Sequence, residues 1–180
     1  MLKRDFITQL ILLLLLLLGL VGLRVWFFEP VTITDEMAND YLRTGDFIVT
    51  VRNDRLKHGD FVLYTHDGKE YVSRVIAREG DQVTYMDDVL YRNHEIVSET
   101  YLTTAVVDEY YTEDLTVSTL TNSEYDAIPK NNYLVLNDNR NNKNDSRQFG
   151  LINEEQIIGR LSFRVSPLSQ FGFVDTGVNR

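Results

Sequence analysis

From Phe6 to Phe28 the chain is apolar apart from Thr8, Gln9 and Arg24, and it has no polar face. Leu12 to Leu18 is an unbroken leucine run, and Arg24 is the one charge in the stretch. A helix on a soluble domain keeps one side for water, and seven consecutive leucines keep none. As a helix these 23 residues extend about 34 Å, enough to cross the hydrocarbon core of a bilayer. The pattern predicts an uncleaved membrane anchor over residues 1–28. Lys3 and Arg4 precede it against a single Asp5, a bias that holds the N-terminus in the cytoplasm and exports the rest. Trp26, Phe27 and Phe28 are placed for the outer interface, where aromatic rings collect. A cleavable leader needs a shorter apolar core and a small-x-small cleavage site, and Leu23 to Phe28 offers none.

Beyond the anchor the period shortens. Phe47–Val51, Phe61–Tyr64, Tyr71–Ala77, Tyr133–Leu136 and Ile157–Val165 are short β-branched and aromatic runs. Turn residues separate them, such as Lys57-His58-Gly59-Asp60 and Asp67-Gly68. Val83-Thr84-Tyr85 and Val89-Leu90-Tyr91 flank Asp87-Asp88, the pattern of a hairpin. Only Glu154 to Ile158 suggests a helical turn. Residues 29–180 are therefore expected to be mainly β, a compact sandwich or barrel of coiled strands. Within them 95–128 is softer, rich in Thr and in acids such as Glu109, Glu113, Asp114, Glu124 and Asp126. It is expected to be a solvated insertion.

Charge narrows the partners. The chain has 18 Lys+Arg against 27 Asp+Glu, a net charge of −9. After Arg24 the balance is 15 basic to 26 acidic residues, net −11. Such a surface is repelled by nucleic acid, so no nucleic-acid partner is expected. There is no Cys, which removes disulfides, thiolate metal sites and thiol nucleophiles together. His58, His66 and His94 show no metal-ligand spacing, and no cofactor is expected.

Several segments, in order and behind an apolar anchor, resemble the type I signal peptidases. They are Leu42-Arg43-Thr44-Gly45-Asp46, Gly59-Asp60-Phe61-Val62, Tyr71 to Ala77, and Gly80-Asp81-Gln82-Val83. Leu90-Tyr91-Arg92-Asn93, Tyr133 to Arg140, Asp145 to Gly150 and Ile158-Gly159-Arg160 continue the match, and Arg164 to Leu168 closes it. The resemblance implies a signal-peptidase-like coiled β-sheet, and in the family a membrane-anchored serine protease with a Ser/Lys dyad. The catalytic positions depart from it. At the family's nucleophile stands Glu36, or Met37 if the register slips by one. No Ser occurs before Ser73. Ser73 itself occupies the position of the family's general-base Lys, and Lys143 that of the Ser which orients the base. Asn137 replaces a Gly. Asp145, Ser146 and Arg147 remain, with the role of ion pair and caps bracing a loop.

Peptide hydrolysis by the family's route needs a hydroxyl beside a deprotonated amine. A Glu36 carboxylate attacking a peptide would form an anhydride, and Met37 cannot attack. Thr34 is the nearest hydroxyl to that position and is read as a strand-end residue. The expectation is a non-catalytic homologue that binds an extended peptide as an added strand. It resembles the signal-peptidase-like protein of Gram-positive pilus assembly, which implies pilin subunits or the pilus sortase as partners. The localisation implied is the plasma membrane, single-pass, with the C-terminal domain extracellular. Two alternatives are an active peptidase with a relocated Ser73/Lys143 dyad and a structural tethered β domain. An ion pair between Lys143 and Glu36, near Ser73 and Asp145, is expected to plug the old centre.

Overall fold

The structure is a computed structural model that describes residues 2–52, 55–102 and 112–178. The side chains of Lys3, Arg4, Asp5 and Arg24, the acid Glu109 and the middle of the 95–128 insertion lie outside the described residues.

A helix, α1 (Leu2–Phe27), runs straight into strand β1 (Phe28–Thr32). Its described side chains, residues 6–22, Trp26 and Phe27, are all exposed. Among the described residues no helix is long and apolar enough to cross a membrane. The helix expected from the leucine run is there, and its passage through a bilayer is a proposal.

The strands that follow are β2 (Phe47–Val51), β3 (Phe61–His66), β4 (Lys69–Arg78), β5 (Val83–Met86), β6 (Val89–Arg92), β7 (Glu95–Val97), β8 (Leu115–Thr116), β9 (Asn132–Leu136), β10 (Ile152–Asn153), β11 (Ile157–Ser166) and β12 (Gly172–Phe173). A larger sheet runs β1-β2-β11-β3-β4-β9-β10, with β12 on β11, and a smaller one runs β7-β6-β5-β8. The mainly β reading is correct, and so is the hairpin about Asp87 and Asp88, both of positive φ. Glu154–Gln156 is a single 3-10 turn, capped by Asn153.

Phe61 to Tyr64 are all buried, because β3 is covered on both faces. Phe61 and Leu63 pack with Val31, Ile33, Leu42, Ile48, Val72 and Leu161. Val62 and Tyr64 pack on the other face with Leu56, Val75, Val135 and Ile152. A third cluster joins the sheets: Val83, Tyr85 and Leu90 meet Ile76, Ala77, Leu134 and Leu136.

The insertion is not wholly solvated, which corrects the sequence reading. Leu115, Val117 and Ile128 belong to the cluster between the sheets. Tyr101 is buried as well. Its frequent Thr and acids hid these anchors, which are isolated apolar positions with no run to reveal them. Thr116 is both a strand residue and the N-cap of the short helix α2 (Val117–Leu120).

Candidate functional site

The loop 33–46, which carries Glu36 and Met37, is pinned from inside. Leu42 is fully buried. The Asn39 carboxamide accepts from the N–H groups of Tyr41 and Leu42, and the Asp46 carboxylate from that of Arg43, the local bonding that makes Asn and Asp turn formers. Arg164 pairs with Asp46 at 3.0 Å and holds the loop to β11. Met37 leans on the apolar cluster under β3. Thr34 is exposed, and its carbonyl accepts from Met37 N–H.

Glu36 points outward. Its carboxylate pairs with Lys69 at 2.6 Å, and both side chains are more than half exposed. The carboxylate holds the Lys69 ammonium above the usual lysine pKa by hydrogen bonding. Lys143 is exposed too and pairs with Glu113, which lowers the Glu113 pKa. The expected pair of Lys143 with Glu36 is therefore not made among the described residues. Each charge found a partner at the surface, where its hydration is retained.

Ser73 lies inside, on β4, 2 % exposed. Its Oγ donates to Asn137 Oδ1 at 2.7 Å. The Asn137 amide is held the right way round, because its Nδ2 donates to the carbonyls of Asn142 (3.0 Å) and Asn144 (3.3 Å). The Tyr64 hydroxyl, 3.1 Å from Ser73 Oγ, donates the second bond. Burial pushes the Tyr64 pKa up, so it stays protonated. Thus Ser73 touches an amide and a phenol, and neither takes its proton near neutral pH.

Asp145 is also fully engaged. Oδ2 accepts from Asn137 N–H at 2.8 Å and from Arg147 at 2.7 Å. Asp145 caps the short helix α3 (Ser146–Phe149). Ser146 Oγ accepts from Val135 N–H, and Arg147 also donates to the Arg140 and Asn142 carbonyls. This knot ties the 137–147 loop to β9. Asn142 Nδ2 then donates to the Glu36 carbonyl at 2.9 Å. A hydrogen-bonded line runs Ser73–Asn137–Asn142–Glu36. The structure brings together the backbone of the Glu36 loop, Ser73 and Asp145, and sends the Glu36 and Lys143 side chains elsewhere.

What fills the centre is Asn137. Sequence reading noted it only as the replacement of a glycine. The signal was there: a carboxamide in place of a hydrogen must occupy the space in front of the Ser73 position. Among the described residues no group of His, Asp and Glu is arranged to hold a metal.

Behind Ser73 lies Arg74, 0 % exposed. It grips Asp138 with two bonds of 2.7 and 2.6 Å and donates to the carbonyls of Gly59 and Thr176. Its guanidinium lies 3.8 Å from the Tyr101 ring centroid and 4.2 Å from that of Phe61. Arg140, equally buried, pairs with Glu99 at 2.6 Å, and Glu99 also accepts from the Tyr85 and Tyr101 hydroxyls. Glu99 and Tyr101 come from the insertion, and sequence reading missed both.

Beside this core β4 is half open. Only Arg74–Arg78 pair with β9. Lys69–Ser73 pair with β3 alone, so among the described strands that stretch has a free edge. Its first residue, Lys69, is the one that meets Glu36. An extended peptide can add to such an edge.

Residues 4–166 match the family model of signal peptidase, peptidase S26. The chain is 42 % identical over 115 residues to signal peptidase IB of Staphylococcus aureus strain MRSA252, covering 61 % of this chain and 60 % of that protein. It is 37 % identical over 108 residues to a protein named inactive signal peptidase IA from strain COL of the same species, covering 60 % and 59 %. These matches span about three fifths of the length of the curated relatives. The crystal structure of a signal peptidase I from Enterococcus faecalis superposes with a TM-score of 0.56 at 32 % identity, covering 61 % of this chain and 98 % of that one. Fold, ordered motifs and family match agree, and this chain belongs to the signal peptidase family, peptidase S26.

Proposed function

We propose that this protein is a non-catalytic signal peptidase homologue that binds extended segments of exported proteins at the outer face of the plasma membrane. One observation carries the reading: Ser73, at the general-base position, is bonded to Asn137 and Tyr64, with no amine bonded to it among the described residues. The neighbouring charges support it. Glu36 is bound to Lys69 at the surface, and Lys143 to Glu113. The free edge of β4 supplies backbone groups for a peptide strand. Similarity to a protein named inactive signal peptidase IA supports the same direction. In this reading α1, with the apolar run of Phe6 to Phe28, is the single membrane anchor and residues 29–180 are extracellular. The partners are those the sequence resemblance implies, pilin subunits or the pilus sortase, and the role is that of an assembly chaperone.

The 42 % identity to a protein named signal peptidase IB favours a second reading, an active peptidase. One experiment separates them. Full-length protein in detergent is incubated with a preprotein substrate, and pulldowns of surface proteins are run beside it. The proposed function expects no cleavage above buffer and recovery of a pilin or sortase. Cleavage that Ser73→Ala abolishes would instead establish the relocated dyad.

A further inference from the structure

A cavity of about 580 Å3 opens among residues outside the Ser73–Asn137 cluster. Arg55, Arg78, Glu79 and Glu154 line it, with the Tyr133 ring and the backbone at Gly159. Arg55 and Arg78 have no hydrogen-bonded or ion-paired side-chain partner among the described residues. Yet the four charges converge: each acts on the Tyr133 hydroxyl, whose pKa burial raises first and these charges modulate. Two cations and two carboxylates share one cavity without neutralising one another by contact.

Its position in the fold is equally specific. A Cβ at Gly159 would stand 2.6 Å from the Val51 carbonyl oxygen, so β11 and the end of β2 touch there. The next residue, Arg52, donates its N–H to the carbonyl of Phe27, the last residue of α1, at 2.9 Å. The Gly159 wall is thus joined through one strand end to the point where the helix meets the domain. Trp26 and Phe27 are exposed at the same point.

We propose that this cavity binds the headgroup of a zwitterionic phospholipid with a primary amine, its phosphate on Arg55 and Arg78 and its ammonium on Glu79 and Glu154. Paired guanidiniums hold phosphate oxygens bidentately. The carboxylates disfavour a headgroup that is only anionic, and they favour an N–H donor over a quaternary ammonium, which has none to give. The source is a lipid and not a soluble phosphate because the cavity adjoins the end of α1, a placement that rests on α1 crossing the bilayer. The net charge of −11 beyond Arg24 fits a zwitterionic membrane contact better than an anionic one.

The test is native mass spectrometry of the full-length protein in detergent with equal amounts of phosphatidylethanolamine, phosphatidylglycerol and phosphatidylcholine. Phosphatidylethanolamine is expected to be retained about tenfold over either rival, a difference of about 1.4 kcal/mol. The double variant Arg55→Ala/Arg78→Ala should lose that retention, and Glu79→Gln/Glu154→Gln should move the preference towards phosphatidylglycerol. Circular dichroism identifies any variant that fails to fold, and the wild-type preference decides the matter without the variants. Equal retention of the three lipids overturns the proposal, as does retention unchanged in a folded Arg55→Ala/Arg78→Ala variant. Millimolar O-phosphoethanolamine should compete for the same cavity, and binding of O-phosphoethanolamine without any retention of phosphatidylethanolamine overturns the lipid source. Protease shaving of intact cells tests the crossing of α1 separately: protection of the C-terminal domain sinks the anchor reading, whatever the lipid preference.

Discussion

Ser73 Oγ, on β4, donates a hydrogen bond to Asn137 Oδ1 at 2.7 Å, across 64 positions of the chain, and Asn137 stands just past the end of the neighbouring strand β9. The bond closes a polar centre in which every donor has an acceptor. In such a centre a partial change costs more than a complete one. Ser73→Ala leaves Asn137 Oδ1 buried and unpaired, and is expected to cost about 1–3 kcal/mol. Chemical denaturation checks this, and preprotein cleavage should be as absent in the variant as in the parent.

Ser73→Lys places an amine where Asn137 already stands. It should lower the melting temperature more than Ser73→Ala does. Adding Asn137→Gly removes the obstructing carboxamide and should return part of the loss. If the double variant melts no higher than Ser73→Lys alone, Asn137 is not the group that fills the site.

Asp138→Ala strips a buried guanidinium of its carboxylate. Arg74 is 0 % exposed and its side chain has no route to water. Breaking a buried pair in this way is expected to cost about 3–5 kcal/mol, read by urea unfolding.

Glu36→Ala and Lys69→Ala, by contrast, break a pair that water already reaches. Neither should shift the melting temperature measurably, at low salt or high. A clear drop on either change would show that this pair braces the Glu36 loop.

His58 gives the protein a slope with pH. Burial lowers its pKa, and this outweighs the Asp81 carboxylate 2.7 Å away. The folded state therefore binds the proton less readily than the unfolded chain. Stability is full above the unfolded value near 6.5, and it falls as acidification charges the unfolded histidine first. The Asp81 pKa is lowered as well: burial alone would raise it, and bonds from Arg78 N–H, His58 and Asn93 prevail. Its contribution is present above the unfolded carboxylate value and is lost only at much lower pH. Melting curves from pH 7 to 5 should decline for the parent and decline less steeply for His58→Asn.

The strands were readable where side chains repeat. Phe61–Tyr64 is a continuous apolar run because both faces of β3 are covered, and Val75–Ala77 on β4 is another. Strands of two or three residues, such as β8 and β10, leave no period to read. The site was legible as a set of substitutions and not as an arrangement. Glu36, Ser73 and Lys143 could be named from their motifs. Which charge meets which depends on Lys69 and Glu113, and no motif marks either. The buried Arg74 and Arg140 were invisible as core residues, since arginine belongs to water until Asp138, Glu99 and the aromatic rings surround it.

The order of strands in the larger sheet governs when the protein can become itself. β2 and β3 are neighbours in the chain, but β11 lies between them. Arg74 likewise waits for Thr176, 102 residues downstream. A chain emerging N-terminus first holds its early strands without their central partner until almost all of it has arrived. Loop closure over such distances makes folding slow. The interval between the first strand and the last is therefore one in which apolar strand edges stand open, and a nascent molecule of this protein is itself a substrate for whatever protects unfinished chains at its site of synthesis.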